Sequence, residues 1–233
     1  MKLRCIIAVM LLTVIPICAI AQEKRGHLHF NAGVKAGVQA ITYNDPKFSI
    51  EGYEFDHNNI QSNKIGFTVS PFIRLGLGRF YVQTEATLGI TRHSFEFKDI
   101  SVAEAGNAPT GTATYELETY CIQVPILLGY NFIQEGRFGM SIFTGPRTKF
   151  TFTAHSNQNF NHFKYEGLKE ILEKRVYYWE FGLGVNIHNV FFDFAYDIGI
   201  TNAAKHVVSD KEGVKFKSDR KDNILSFSVG VIF

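Results

Sequence analysis

The sequence predicts an all-β fold, an eight-stranded antiparallel up-and-down transmembrane β-barrel, and three observations carry that expectation. Eight segments alternate apolar and polar residues at period two, the spacing of strands with one face turned to an apolar medium. The connections between them are short and long in strict alternation. The last segment runs to the final residue, with Leu225, Phe227, Val229, Val231 and Phe233 on one parity and Ser226, Ser228 and Gly230 on the other.

Before the first segment, residues 1–21 read as a secretory signal peptide. Lys2 and Arg4 precede an apolar run from Cys5 to Ile17, and Ala19, Ile20 and Ala21 form an A-x-A cleavage site before Gln22. The run is too short to span a bilayer as a helix. Ile15, Pro16 and Ile17 occupy the positions where lipidation of Cys18 would need small residues. Cys5 and Cys18 leave with the signal, so the mature chain keeps Cys121 alone and forms no internal disulfide. Residues 22–233 are expected to be one barrel domain. With 24 basic and 22 acidic residues the charge is near balance, which gives no nucleic-acid signature. No further apolar run is long enough for a transmembrane helix, so insertion must be by strands.

Residues 28–41 open the pattern, and 65–76 and 80–96 meet across the tight link 77–79. Residues 115–133 and 137–153 flank the link 134–136, residues 175–188 and 190–201 meet at His188 and Asn189, and 223–233 ends the chain. The connections 42–64, 97–114, 154–174 and 202–222 are long and polar. Bacterial barrels keep their periplasmic turns short and their extracellular loops long, whereas a soluble sandwich has no reason to sort connections by end. An even strand count then puts both termini of the barrel in the periplasm.

Parity separates the two faces. Phe67, Val69, Ile73 and Leu75 alternate with Thr68, Ser70 and Arg74, and Phe80, Val82, Ala86, Leu88 and Ile90 with Tyr81, Gln83, Glu85 and Thr87. Later, Ile122, Val124, Ile126 and Leu128 oppose Gln123 and Asn131, while Phe192, Phe194, Tyr196 and Ile198 oppose Asp193 and Asp197. The apolar parity is expected to face lipid. On it, Phe80, Phe132, Phe138 and Phe233 at the turn end, with Phe150, Phe152, Tyr177 and Trp179 at the loop end, fit two aromatic girdles.

The inward parity carries Lys35, Arg74, Arg147 and Lys149 together with Glu85, Glu180, Asp193 and Asp197. An eight-stranded barrel is only wide enough for side chains to fill it, so these charges are expected to pair, with Gln83, Gln123, Asn131 and Asn186, into a plug rather than to line a pore. A narrow proton or ion path through the carboxylates is the functional alternative. Gly33, Gly37, Gly76, Gly129, Gly182 and Gly230 share this parity and relieve crowding where a small barrel bends.

The sequence carries no recognisable catalytic, cofactor or metal motif. Gly76-Leu77-Gly78 and Gly182-Leu183-Gly184 lack the following helix and lysine of a phosphate loop. His27 with His29, and His155 with His162, bring no third ligand at convincing spacing. His93 and Ser94 point to opposite faces, and no nucleophile and base constellation marks a hydrolase. Residues 166–175, EGLKEILEKR, place Leu168, Ile171 and Leu172 at helical spacing and form either one or two helical turns or the charged upper end of a strand. Lys205, Lys211, Lys215, Lys217, Arg220 and Lys221 make the last loop basic, suited either to solvent or to lipopolysaccharide phosphates.

Four segments carry a family resemblance: HFNAGVKAGVQA, CIQVPILLGYNF, FGMSIFTGPRTKF and ILSFSVGVIF. With the G-x-K-x-G of Gly33, Lys35 and Gly37, the V-P-I-L-L-G-Y around Pro125 and the T-G-P of the fifth segment, the chain resembles the PorT-like outer-membrane β-barrel proteins of Bacteroidota over nearly all of its mature length. The resemblance implies an eight-stranded barrel in the bacterial outer membrane, and its terminal aromatic strand resembles the signal read by the barrel-assembly machinery. These are packing patterns, so no catalytic residue is carried over. The expected function is a non-enzymatic barrel presenting its loops for structural, adhesive or partner-binding work, in contact with outer-membrane lipid and lipopolysaccharide. The alternative implied by the resemblance is an accessory component of protein secretion or surface assembly. A soluble lipocalin-like binder would reverse the parities, with an apolar cavity and a polar exterior.

Overall fold

The computed structural model describes residues 28–44, 49–50, 53–55, 65–99, 112–161, 168–209, 215–217 and 221–233; the signal segment and His27 and His162 lie outside them. The chain runs through β1 (Leu28–Asn44), β2 (Ser49–Ile50), β3 (Tyr53–Phe55), β4 (Gly66–Leu77), β5 (Phe80–Glu85), β6 (Thr87–Asp99) and β7 (Thr112–Glu135). It continues through β8 (Phe138–Asn161), β9 (Leu168–Leu172), β10 (Arg175–Ile187), β11 (Val190–Gly199), β12 (Ala204–Ser209), β13 (Lys215–Lys217) and β14 (Lys221–Ile232). The wall is the antiparallel ring β1, β4, β5 with β6, β7, β8, β10, β11 and β14. It closes because β1 pairs with β4 on one side and with β14 on the other, from Gly33 opposite Ile232 to Asn44 opposite Lys221. The Phe233 amide adds a bond to the Ala32 carbonyl at 2.8 Å. Eight wall strands therefore occupy the eight segments expected from periodicity.

β5 and β6 are one wall strand with a gap at Ala86, since the register against β4 and β7 is the same on both sides of it. Two prolines cause the gap. Pro71 of β4 stands opposite Ala86 and Pro125 of β7 opposite Glu85, and neither has an N–H to give to the ladder. Ala86 still donates to the Pro71 carbonyl at 3.1 Å, and the Thr84 hydroxyl donates to the Pro125 carbonyl at 3.0 Å.

At the three tight turns Gly78, Gly136 and His188 adopt φ of 60°, 57° and 59°. At the opposite end the strands outrun the membrane. β7 and β8 are each 24 residues long and stay paired up to Thr112 opposite Asn161, against the nine to eleven or so that a crossing needs. Much of the expected loop 154–174 is thus hairpin. β3 pairs with β6 and β2 with β3, so part of the first long connection is strand as well. Residues Leu168–Leu172 are extended rather than helical and are set off from β10 by residues 173 and 174. They form β9 in a second sheet with β12 and β13, because a non-local partner satisfies their backbone in extended form.

Outward residues are apolar all round the ring: Phe67, Val82, Leu128, Ile142, Leu183, Phe194 and Leu225 are each about half exposed. In water such a continuous belt would far exceed the apolar patches soluble proteins show, so hydrocarbon is its medium. The aromatic residues expected on the outward parity, including Phe80, Phe138, Phe152, Tyr177 and Trp179, are exposed on this face. Inside, aromatic rings lie over glycines directly opposite on the neighbouring strand. Tyr81 covers Gly129, Phe143 covers Gly182, Phe72 covers Gly33 and Phe191 covers Gly230. A Cβ at any of these glycines would collide with the ring that faces it. The inward glycines are therefore receptacles for aromatics as well as points of curvature.

Gly129→Ala is expected to destabilise the barrel by about 1–3 kcal/mol through overpacking against Tyr81, and the same substitution in a Tyr81→Ala background to cost less than half as much. Urea unfolding in lipid vesicles measures both; equal penalties in the two backgrounds would show that the ring does not occupy the glycine.

Candidate functional site

The ring brings the inward charges into one layer of the lumen. All eight expected charged residues, Lys35, Arg74, Glu85, Arg147, Lys149, Glu180, Asp193 and Asp197, are buried there. Six form two ionic groups. Lys35 Nζ lies 2.7 Å from Glu85 Oε1 and 3.2 Å from Asp193 Oδ2. Arg147 donates Nη2 to Glu180 Oε2 at 2.7 Å and Nη1 to Asp197 Oδ2 at 2.9 Å, while its Nε also reaches Glu180 Oε2 at 2.8 Å. Glu180 and Asp197 face each other across β10 and β11, so one guanidinium fork serves two strands.

Amides extend the network. Arg147 Nη1 donates to Gln123 Oε1 at 2.9 Å, and Gln123 donates to Gln39 Oε1 at 3.1 Å. Gln83 donates to Glu85 Oε1 at 2.6 Å and accepts from Arg74 Nε at 2.6 Å. Arg74 sits toward the turn end with its guanidinium 4.3 Å from the centre of the Tyr81 ring. Lys149 lies two residues beyond Arg147 toward the loop end. The terminal residues Leu225, Phe227, Val229, Val231 and Phe233 keep the outward parity, with Phe227 half-buried 4.7 Å from Phe194 between ring centres.

Two apolar clusters adjoin this layer. Tyr81, Leu127, Phe143 and Ala195 form one, with Ala195 standing between Asp193 and Asp197 on β11, and Phe72 and Phe191 meet edge-on at 5.2 Å. Toward the loops, Ile41, Val176, Tyr178, Ala203 and Ile224 form another. The sign available in the sequence was an inward-parity aromatic facing a glycine in the adjacent segment. Between the clusters, the cavity lined by Lys35, Glu85, Thr87, Arg147, Glu180 and Asp193 has a volume of about 10 Å³, the space of roughly one water. The ionic layer is thus closely packed, with little free space between its side chains. His29 lies across from Gly76 near the turn end. Among the described residues no cluster of three or more His, Cys, Asp or Glu is arranged to hold a metal ion.

A closed antiparallel ring with an apolar exterior and an ion-paired interior defines a membrane-spanning β-barrel. The family model of the outer membrane protein beta-barrel domain matches residues 20–205, and the chain belongs to that family. Its place is therefore the outer membrane. No curated protein matches the chain in sequence. Among solved structures it is similar to the outer membrane protein OprG of Pseudomonas aeruginosa, at 11% identity and a TM-score of 0.45, over 91% of this chain and 99% of that one. It is also similar to Ail, the attachment invasion locus protein of Yersinia pestis, at 11% identity and a TM-score of 0.39, over 88% and 99% of the two chains. The outer membrane protease OmpT of Escherichia coli matches at 9% identity and a TM-score of 0.39, over 88% and 96%.

Arg147→Met leaves two carboxylates buried without their cation and is expected to cost about 3–5 kcal/mol of stability, whereas Arg147→Met combined with Glu180→Gln and Asp197→Asn loses less. Equilibrium unfolding in vesicles compares them; a loss under about 1 kcal/mol for the single variant would contradict the fork's structural role.

Proposed function

We propose that the protein is a non-enzymatic outer-membrane barrel with a plugged lumen, whose work is done by the structure at its loop end. In this reading the turns and both termini of the barrel are periplasmic and the loop end is extracellular, as short turns and long loops are arranged in bacterial barrels. The observation that carries it is the contrast between the two parts of the chain. The lumen is filled by paired charges between two apolar clusters, while β7 and β8 continue paired far past the wall and β9, β12 and β13 form a further sheet there. A rigid support carrying ordered strands suits structural, adhesive or partner-binding roles. No cofactor or metal is invoked. The partners of this reading are membrane lipid, lipopolysaccharide and, during insertion, the barrel-assembly machinery.

The second reading, an accessory component of secretion or surface assembly, is favoured by the PorT-like segments around Gly33, Lys35, Gly37 and Pro125. Crosslinking and co-purification from native membranes separates the two: a stoichiometric secretion partner supports the accessory role, and its repeated absence supports the first reading.

In planar bilayers the purified protein is expected to give no stable unitary conductance, and reproducible channels would refute the plugged lumen. Deleting Phe233 is expected to lower the yield of folded, heat-modifiable barrel in outer membranes several-fold; wild-type yield would remove the terminal residue from the insertion signal.

A further inference from the structure

The outward side chains of β7, β8, β10 and β11 stand in two parallel rows across the ladder. Leu128, Thr144, Phe181 and Tyr196 are cross-strand partners in one row, and Tyr130, Ile142, Leu183 and Phe194 in the other. Between the rows runs the register line of Gly129, Phe143, Gly182 and Ala195. These positions have the inward parity, so backbone alone floors the space between the rows. The result is a furrow of about 600 Å³ in the lipid-facing wall, which ends at Phe80 on β5 and Leu225 on β14. With strands about 4.8 Å apart, its course from β7 to β11 is about 14 Å long. That is the reach of one acyl chain, which spans half of a hydrocarbon core about 30 Å thick.

The course of the furrow fits the same occupant. Phe80 adjoins the tight turn at Gly78, whereas Leu225 lies in the loop-side half of β14, so the furrow climbs from the turn rim into the depth of the wall. Thr144, in its upper row, makes no polar demand on a ligand. Its hydroxyl donates to the Glu180 carbonyl at 2.9 Å and accepts the Trp179 indole N–H at 2.8 Å. At the lower end the Phe80 and Tyr130 rings lie 4.9 Å apart between centres. The exposed Arg79 precedes Phe80, and its carbonyl accepts the Asn131 N–H at 2.8 Å. An arginine at the mouth of an apolar furrow is placed to bond a phosphate whose lipid chain lies inside. In hydrocarbon no hydrophobic effect favours one occupant over another, so close contact along the furrow and the charge-assisted bond at its mouth make the selection.

We propose that this furrow seats one acyl chain of a glycerophospholipid whose phosphate is held by Arg79. The proposal deepens the reading above, because placing that lipid in the periplasmic leaflet rests on the periplasmic turn end. The whole protein in non-ionic detergent is titrated with a glycerophospholipid brominated on one acyl chain. Quenching of Trp179, the single tryptophan of the chain, reports contact beside Thr144. Quenching is expected to saturate at about one lipid per barrel, and native mass spectrometry to show the same stoichiometry. Leu128→Phe/Leu183→Phe, which narrows the furrow from both rows, is expected to weaken binding roughly tenfold, as is Arg79→Gln, while Val69→Phe/Leu75→Phe on β4 leaves it unchanged. Quenching that never saturates, or a furrow variant that migrates as a folded barrel and keeps wild-type affinity, overturns the proposal. So does equal binding of the corresponding diacylglycerol, which lacks the phosphate, or of lipopolysaccharide. A barrel dimer that forms only without lipid would make the furrow an interface between copies and equally refute the seat. Should the double variant fail to fold, Leu128→Phe and Leu183→Phe are measured singly, and no loss in either overturns it. Maleimide labelling of Arg79→Cys tests the orientation separately: labelling of intact cells refutes the periplasmic turn end, whereas labelling only after permeabilisation, with binding unaltered in the furrow variant, refutes the seat alone.

Discussion

Every backbone amide and carbonyl in hydrocarbon needs a partner within the protein, because the bilayer core offers none. For a chain of strands this admits one solution, a sheet whose first and last members pair. The β1–β14 ladder supplies it and joins Gly33 to Ile232, residues from nearly opposite ends of the described strands. Closure constrains everything else in the molecule. The ring has a fixed circumference, its outer face must be apolar, and the enclosed space must be filled by whatever side chains remain on the other parity.

The filling combines two solutions to one packing problem. Near the turns, rings lie over glycines, so that a large side chain on one strand occupies room its neighbour leaves empty. In the middle, charges are packed with their counter-ions. Buried ions are costly unless their hydrogen bonds are satisfied, and the Arg147 fork, with Gln123 and Gln39 behind it, engages one oxygen of each carboxylate while Glu180 Oε1 and Asp197 Oδ1 stay buried without a hydrogen-bond partner among the described residues. The ionic layer does not need to be more stable than an apolar core to be useful. Charges that pair only in one arrangement penalise a strand that slips by one residue, because the slip would turn Asp193 and Asp197 toward lipid and Phe192 and Phe194 inward.

The wall was legible in the sequence because both of its signals are local. Alternation around Asp193 and Asp197, and the tight links at Gly78 and His188, depend only on neighbours in the chain. The eight lumen charges were legible for the same reason. The apolar clusters were not: Tyr81, Phe143 and Phe191 sit on the polar parity and look like exceptions until their glycine partners are seen across the ladder. Residues 168–172 show the limit most clearly. Leu168, Ile171 and Leu172 have helical spacing, yet the segment is a strand because β12, more than thirty residues away, offers it a ladder.

The gap at Ala86 also bears on how the cylinder moves. Between Pro71 and Pro125 the wall has fewer rungs than anywhere else along β5 and β6, and the free energy needed to part strands locally falls with the number of bonds to be broken. The glutamate beside the gap, Glu85, is a counter-ion of Lys35, so one inner ion pair stands against a stretch of wall where the ladder is interrupted. A second interruption lies between β7 and β8, where an unpaired stretch separates Pro125 opposite Arg147 from Leu128 opposite Thr144, and both flank the Arg147 and Lys35 ion pairs, so local parting of the wall and loosening of its ionic filling are coupled.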